Sequence, residues 1–285
     1  MPRFSTYAGF VKLEHTVFSL PLIYAGVRLG ASHVAGQAGA WPPARVLLLV
    51  LIAGAAGRVM AMGLNRLIDA EIDARNPRTK MRELPRGVMT RGEAWAVVAV
   101  AGAVYAAGAA AIAPVCVRLA LIPVALFAIY PYLKRVTSLA HLGLGLAWSM
   151  APLGGWLAAT GSLERIGQVG WLWLFSVLWV TGFDIIYATM DEAFDRQAGL
   201  HSLPAALGRR RALRVSQALH ALAFLSLVAL WRSQLGSPWS AACVGAVGAC
   251  LVWEQAVAER APELAFFQIN AAIGFLVLGL VWMGV

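Results

Sequence analysis

The chain has 285 residues, of which 60% are hydrophobic and only 13% are charged, and its mean hydropathy is +0.71. A soluble domain carries about 25% charged residues, so this composition excludes an ordinary soluble protein and predicts an all-α, polytopic membrane protein. A net charge of +9 is also typical of nucleic-acid binding. The basic residues follow a membrane topology instead, and we predict no nucleic-acid partner.

Several apolar stretches each approach the roughly 20 residues that a helix needs to cross a bilayer. In chain order they cover 16–36, 45–64, 94–113, 116–133, 139–160, 167–189, 211–231, 238–257 and 265–284. They predict about nine transmembrane helices in a single bundle, and one domain over residues 1–285. The first stretch is interpreted as a retained helix, because Arg3, Lys12 and Glu14 precede it without an evident cleavage site.

Most of the 23 basic residues fall on one side of this topology. With the N-terminus inside, the inner side receives Arg3, Lys12, the 65–93 loop, Lys134, Arg135, the 191–214 region and Arg260. The outer side receives Arg28, Arg45, Arg118, Arg165 and Arg232. The positive-inside rule therefore fixes the orientation and places both acidic motifs described next on the cytoplasmic side.

All five aspartates lie in two short stretches, each at the end of an apolar segment. In the first stretch Asn65, Asp69 and Asp73 are four residues apart and share one helix face. The second stretch forms a similar stripe of Asp184, Tyr187, Asp191 and Asp195. Ionisable residues at such positions are costly unless they are paired, so both stripes are candidates for a functional site.

Three positions of the first stripe match Tyr187, Asp191 and Asp195 at a constant offset of 122 residues. This correspondence indicates an internal repeat, roughly 1–133 and 134–285, and one shared site. Neighbouring carboxylates repel each other unless cations lie between them. Mg²⁺ accepts one or two carboxylates and takes waters and phosphate oxygens as its other ligands, so the two stripes predict a magnesium site.

A basic segment follows the first stripe and predicts a site for a diphosphate. Arg78, Lys80 and Arg82 lie between two prolines, where arginine forks match phosphate oxygens and lysine supplies a point charge. Arg58 lies two helical turns before Asn65, inside the predicted membrane segment. A guanidinium there has a high free-energy cost unless an anion pairs with it. A topology signal or the binding of anionic lipid headgroups is the alternative for Arg75, Arg86, Arg91 and Arg209 to Arg211.

A third element contains Tyr130 and Lys134, four residues apart at the end of the fourth predicted helix. An interfacial aromatic belt explains the tyrosine adequately, whereas Lys134 can reach a diphosphate or an acceptor carboxylate. The five histidines show no metal-ligand spacing.

In combination these motifs resemble the UbiA superfamily of intramembrane prenyltransferases. The first stripe resembles the signature Asn-x-x-x-Asp-x-x-x-Asp, and the second resembles Asp-x-x-Tyr-Ala-x-x-Asp-x-x-x-Asp. The Arg-Asn-Pro-Arg-Thr of 75–79, the Arg-Glu-Leu-Pro-Arg-Gly of 82–87 and the Tyr-x-x-x-Lys of 130–134 also fit, so the resemblance spans the chain. The run 191–204 is similar to the 4-hydroxybenzoate polyprenyltransferase-like branch, which includes menaquinone enzymes of the futalosine route.

The resemblance implies transfer of a polyprenyl group from polyprenyl diphosphate to the ring of an aromatic hydroxy acid. The implied acceptor is 4-hydroxybenzoate or 1,4-dihydroxy-6-naphthoate, in ubiquinone or menaquinone biosynthesis. Mg²⁺ would be held by Asn65, Asp69, Asp73, Asp191 and Asp195, and either Asp184 or Asp191 would orient or deprotonate the acceptor. Substrate-binding roles are implied for Asn65, Arg58, Arg78, Lys80, Arg82, Lys134, Tyr130 and Tyr187.

The expected location is the inner membrane of a bacterium, in contact with lipid, with the site on the cytoplasmic side and no obligate protein partner. A transporter is the main alternative class, but transporter sites lie near the membrane midplane, whereas these acids lie at helix ends. A haem, chlorophyllide, homogentisate or lipid acceptor is the alternative within the prenyltransferases.

Overall fold

The computed structural model describes residues 4–36 and 41–285, and the side chains of residues 4 and 13–19 are outside this description. Arg3, assigned to the inner side above, therefore lies outside the described residues. The regular elements of the described chain are all helices, which confirms the predicted all-α class. The α-helices are α1 (Phe4–Val11), α2 (Leu13–Ala35), α3 (Ala44–Arg75), α4 (Arg91–Ile112), α5 (Pro114–Leu119), α6 (Leu121–Leu133), α7 (Ala140–Thr160), α8 (Gly170–Ala188), α9 (Glu192–Ala198), α10 (Leu203–Leu207), α11 (Arg209–Gln234), α12 (Pro238–Val257), α13 (Pro262–Leu264) and α14 (Asn270–Gly284).

Among the described residues, eight helical segments are long and apolar enough to cross a membrane. They are Ala44–Arg75, Arg91–Ile112, Pro114–Leu133, Ala140–Thr160, Ile166–Ala198, Arg209–Gln234, Pro238–Val257 and Pro262–Gly284. These correspond to the last eight predicted segments. The predicted count of nine is not confirmed, because the first segment, 16–36, falls in α2, which is not among the eight.

The predicted end of the second segment, residue 64, is too early. Helix α3 continues without a break to Arg75, so Asn65, Asp69 and Asp73 all lie on its last three turns. The next two predicted segments, 94–113 and 116–133, are separate helical stretches in the structure. Helix α4 ends at Ile112, and Pro114 begins α5. The internal repeat and the single domain stay predictions.

The helices approach one another most closely where small residues face each other, as is common in membrane bundles. A Cβ atom on Gly26 of α2 would lie 2.1 Å from the carbonyl oxygen of Pro152 on α7. A Cβ atom on Gly155 would lie 2.1 Å from that of Ile23. These two glycines therefore allow α2 and α7 to pack backbone against backbone.

A polar network interrupts the apolar core between α8, α12 and α14. Residues Ala265–Ile269 form a π-helical turn, and Asn270 follows it directly. The Asn270 amide donates to Glu254 Oε1 at 2.8 Å and to the carbonyls of Ala265 and Phe266 at 2.8 and 3.1 Å. Its Oδ1 accepts from Trp179 Nε1 at 2.6 Å. The side chain of Asn270 thus donates hydrogen bonds to two backbone carbonyls of the π-turn.

Candidate active site

The two acidic stripes meet at one end of the bundle, as the sequence predicts. Asp69 and Asp73 are 3% and 4% exposed at the end of α3. Asp191 ends a short 3₁₀ turn after α8, and Asp195 lies in α9. We call Asp69, Asp73, Asp191 and Asp195 the acidic cluster. Three of its carboxylates, those of Asp69, Asp73 and Asp191, pair with basic side chains.

Asp69 binds the end of α6. The Lys134 ammonium donates to Asp69 Oδ2 at 2.6 Å, and the Asn65 amide donates to the same oxygen at 3.3 Å. The other oxygen, Oδ1, lies 3.6 Å from Arg135 and has no hydrogen-bond partner among the described residues. Asp69 therefore keeps one buried oxygen free for a further ligand.

Asp73 binds residues 76–90, which fold back over the end of α3 and which we call the basic loop. Arg82 Nη1 lies 2.8 and 2.7 Å from the two carboxylate oxygens of Asp73. The Thr79 hydroxyl donates to the Asp73 carbonyl at 3.1 Å. These contacts hold the loop above the helix that carries the first stripe.

Asp191 joins the basic loop to the second stripe. Arg78 donates to Asp191 Oδ1 from Nε at 2.9 Å and to Oδ2 from Nη2, while Nη1 donates to the Tyr187 hydroxyl at 2.6 Å. The Asn76 amide donates to Asp191 Oδ1 at 2.8 Å. Burial alone lowers the pKa of the Arg78 guanidinium, but the hydrogen bonds and charges of Asp191 and Tyr187 raise it above its usual value. Arg78 is therefore a permanent cation in this site.

Not every predicted site residue joins the cluster. Lys80 is exposed, and in the described part of the chain it forms none of these ion pairs. Asp184 pairs with His141, whose Nδ1 is 2.7 Å from Asp184 Oδ2, and not with the basic residues that bind the cluster. Asp195 lies close enough to Asp191 and Lys134 to interact electrostatically with both.

Four further polar residues lie in this region although no sequence motif pointed to them. Asn76, Arg135 and His141 contact the acids directly. Arg66 is only 4% exposed, and in the part of the chain that the structure describes its Nε and Nη1 have no hydrogen-bond partner. Sequence spacing carried no signal for these contacts, because the residues involved belong to different helices and loops.

An apolar cavity of about 490 Å³ lies between α3, α7 and the α4–α6 segment. Arg58, Tyr130 and Trp148 contribute to its wall, and most other lining side chains are apolar. The Arg58 guanidinium lies 5.5 Å from the centre of the Trp148 ring, and its Nε is buried without a hydrogen-bond partner. The cavity therefore combines an apolar volume with one unsatisfied cation.

Comparisons with known proteins agree with this architecture. The model of the UbiA prenyltransferase family matches residues 25–281. A 4-hydroxybenzoate octaprenyltransferase of Vibrio atlanticus is 31% identical over 83% of this chain and 83% of its own length. The apo structure of a UbiA homolog from Aeropyrum pernix K1 superposes with a TM-score of 0.84 at 33% identity, covering 93% of this chain and 95% of that one.

A more distant solved structure supports the fold alone. A UbiA homolog from Archaeoglobus fulgidus, described as bound to GPP and Mg²⁺, has a TM-score of 0.70 at 18% identity, covering 96% of this chain and 99% of that one.

The helical bundle, with charged residues gathered at one end and an apolar cavity within it, defines an integral membrane enzyme. Because the family model matches nearly the whole chain, the protein belongs to the UbiA prenyltransferase family. Family membership confirms the prediction of a prenyltransferase and favours an enzyme over a transporter.

Proposed function

We propose that this protein transfers a polyprenyl group from a polyprenyl diphosphate to the ring of an aromatic hydroxy acid, with Mg²⁺ as its cofactor, in quinone biosynthesis. One observation carries the proposal. Four carboxylates and the cations that pair with three of them lie at the same end of a bundle whose apolar cavity has Arg58 in its wall. The charged end of the bundle suits the diphosphate of the donor, and the apolar interior suits its prenyl tail. Arg58 suits the anionic group of the acceptor.

The basic side chains of the site would bind the diphosphate of the donor. Lys134, Arg82 and Arg78 now neutralise Asp69, Asp73 and Asp191. Arg66 supplies buried donors that have no partner, and such donors are costly until an acceptor arrives. Phosphate oxygens are strong acceptors with the geometry that arginine prefers. These residues would stabilise the negative charge of the leaving diphosphate.

The donor atoms of the acidic cluster fit a hard divalent cation. The potential ligand atoms are the side-chain oxygens of Asn65, Asp69, Asp73, Asp191 and Asp195. Mg²⁺ prefers such oxygen ligands. Asp69 Oδ1 is buried without a hydrogen-bond partner, which leaves it open to a cation. The described residues do not, however, place three or more Asp, Glu, His or Cys side chains in a ready arrangement for a metal ion.

Ion pairing explains why the carboxylates do not converge in this structure. Lys134 and Arg82 each bind an acid that the metal would need. Binding of a diphosphate would give both cations a new anionic partner and would release the carboxylates. Mg²⁺ bound there would supply electrostatic stabilisation of the leaving group, so donor and metal would bind together.

The acceptor would lie beside Arg58. The Arg58 guanidinium has an unpartnered Nε in the cavity wall and lies near the Trp148 ring. A carboxylate would neutralise this cation, and an aromatic ring would pack against the apolar wall. Both 4-hydroxybenzoate and 1,4-dihydroxy-6-naphthoate carry a carboxylate and a ring, so the cavity is compatible with either. The name of the Vibrio relative favours the first.

The reaction follows from these positions. Breaking the allylic carbon–oxygen bond leaves its electron pair on the diphosphate and creates an allylic cation, which the departing anion and aromatic faces stabilise. Electrons of the phenol ring then form the new carbon–carbon bond. Loss of the ring proton to a carboxylate restores aromaticity. The prenyl tail would occupy apolar space within the bundle.

A product assay tests the proposal. The purified protein in detergent is mixed with Mg²⁺, geranyl diphosphate and each acceptor separately, and the products are analysed by mass spectrometry. We expect a prenylated adduct of one acceptor. The absence of any adduct, with this donor and with a longer one, would contradict the proposal. The location in a bacterial inner membrane with a cytoplasmic site, which the positive-inside rule supports, is part of the same proposal.

A further inference from the structure

His141 connects three elements near the proposed acceptor site. It lies in the first turn of α7 and is 5% exposed. Its Nδ1 is 2.7 Å from Asp184 Oδ2 on α8, and its Nε2 accepts the main-chain N–H of Leu203 at 3.2 Å. Leu203 is the first residue of α10. Both ring nitrogens of His141 are therefore in use.

The partners of His141 determine where its proton lies. A main-chain N–H can only donate, so Nε2 must offer its lone pair to Leu203. A neutral imidazole with an acceptor at Nε2 carries its hydrogen on Nδ1. That hydrogen points to Asp184 Oδ2, so His141 donates to the carboxylate and fixes its orientation.

Asp184 keeps a second oxygen available. Its side chain retains 20% of its exposure although Oδ2 is held by His141. Within the described residues, no hydrogen bond to Oδ1 is found. Asp184 also lies close enough to Tyr130, in the cavity wall, to interact electrostatically with it. Among the described residues Oδ1 thus has no hydrogen-bond partner, and Asp184 lies near Tyr130 of the cavity wall.

We propose that His141 is a positioning residue that orients Asp184 as the base for the acceptor's ring proton. The proposal rests on the proposed function, because it needs an aromatic acceptor beside Arg58. After the carbon–carbon bond has formed, the electron pair of the ring C–H bond returns to the ring and the proton passes to Asp184 Oδ1. The carboxylic acid then returns the proton to water. This assignment selects Asp184 over Asp191, whose oxygens are both engaged by Arg78.

His141 also links the base to the loop before α10. The main-chain N–H of His201 donates to the Lys134 carbonyl at 2.7 Å. His141 fixes the N–H of Leu203 two residues further on. Lys134 in turn binds Asp69. The position of the base and the position of a diphosphate-binding lysine therefore depend on the same short loop.

Two substitutions of His141 test the proposal by kinetics. Glutamine can donate its amide N–H to Asp184 and accept the Leu203 N–H, whereas leucine can do neither. We expect His141→Leu to lower kcat on the order of tenfold to a hundredfold, since a general base contributes roughly 10²–10⁴-fold, with the KM for prenyl diphosphate within about twofold of wild type. His141→Gln should retain most of the activity.

The exposed His201, in the loop before α10 that His141 contacts through Leu203, supplies a control substitution. His201→Leu should leave both constants unchanged. Equal losses in the leucine and glutamine variants, or a wild-type kcat in His141→Leu, would overturn the proposal.

A spectroscopic measurement separates this proposal from the proposed function. In protein labelled with ¹⁵N-histidine, the His141 signal is assigned by its absence from His141→Gln. We expect the neutral form with hydrogen on Nδ1, and a changed Nδ1 signal in Asp184→Ala. A signal from the other tautomer or from charged imidazole would overturn the pairing. If the wild-type protein prenylates no acceptor, the proposed function fails, while these spectra still decide whether His141 holds Asp184.

Discussion

Lys134 and Asp69 form an ion pair with a nitrogen–oxygen distance of 2.6 Å, although they are 65 positions apart in the chain. The pair connects the end of α6 to the last turns of α3, and the Asp69 side chain is only 4% exposed. A buried carboxylate needs such a cation, since a charge without a partner would be strongly destabilising. In the proposed function, a metal ion on Asp69 would leave this cation available to a diphosphate.

Neutralising either acidic stripe should abolish turnover. Asp69→Asn and Asp191→Asn keep the shape of the side chain but remove the charge that would hold Mg²⁺. We expect product formation to fall by roughly a hundredfold or more, because the metal stabilises the leaving group. Product is measured by mass spectrometry at saturating donor. Turnover near the wild-type level in either variant would refute the metal-site assignment.

Glu71 provides the control for this experiment. It lies on α3 between the two aspartates of the first stripe, but its side chain is 84% exposed and forms only a 3.5 Å ion pair with Arg91. Glu71→Gln should therefore retain wild-type activity. A comparable loss in Glu71→Gln would indicate that any reduction of negative charge at this end of the bundle is harmful.

Removal of divalent metal should stop the reaction without unfolding the protein. The carboxylates of Asp69, Asp73 and Asp191 already have basic partners in the structure, so we expect the folded state not to require the metal. We expect EDTA to eliminate product formation, added Mg²⁺ to restore it, and the thermal midpoint in detergent to stay unchanged. Activity that survives thorough chelation would argue against metal-assisted ionisation.

The sequence predicted the local part of this site well. Residues four apart on a helix share a face whatever the tertiary fold, so the stripe of Asn65, Asp69 and Asp73 on α3 followed from spacing alone. Composition and hydropathy predicted the all-α class, and the family motifs in combination predicted a prenyltransferase. Hydropathy located the eight segments that the structure confirms.

The contacts between distant parts of the chain could not be predicted. Arg78 and Asp191 are 113 positions apart, and His141 and Asp184 are 43 apart, and neither spacing reflects a helical period. Lys80 and Arg82 looked equivalent in the sequence, but only Arg82 turns inward to an acid. Such choices depend on how the basic loop folds back over α3, which is a property of packing.

Arg82 should bind the donor rather than the acceptor. We expect Arg82→Ala to raise the KM for prenyl diphosphate by roughly tenfold to a hundredfold, because a charge-assisted hydrogen bond contributes about 1.5–3 kcal/mol. The KM for the acceptor should change little. Steady-state kinetics with each substrate varied in turn distinguish the two. Arg86→Ala, at an exposed position of the same loop, is the control, and equal effects on both substrates would contradict the assignment of Arg82.

Arg58 should recognise the carboxylate of the acceptor. We expect Arg58→Met to raise the KM for 4-hydroxybenzoate or 1,4-dihydroxy-6-naphthoate by at least about tenfold, since the acceptor carboxylate would lose its cationic partner. The KM for prenyl diphosphate should stay close to wild type. Acceptor analogues without the carboxylate provide the control, because they should react equally slowly with both proteins. A similar penalty for such analogues in Arg58→Met would mean that Arg58 acts through packing.

Asn270 should stabilise the fold and, through the π-turn, the position of Tyr187. Its side chain bonds Glu254, Trp179 and two carbonyls of the turn, and the Phe266 ring in this turn lies 4.2 Å from that of Tyr187. Asn270→Ala leaves these buried groups without partners, which costs about 1–3 kcal/mol. We expect a clearly lower thermal midpoint in detergent.

The amide of Gln234 provides the comparison for Asn270. It makes a single 2.7 Å bond to the Gln168 carbonyl, so Gln234→Ala should lower the thermal midpoint much less. Glu254→Gln should also be tolerated, because a glutamine carbonyl can still accept the hydrogen bond from Asn270. If Asn270→Ala has the same thermal midpoint as wild type, apolar packing alone stabilises the π-turn. In that case the contact between Phe266 and Tyr187 does not depend on the polar network.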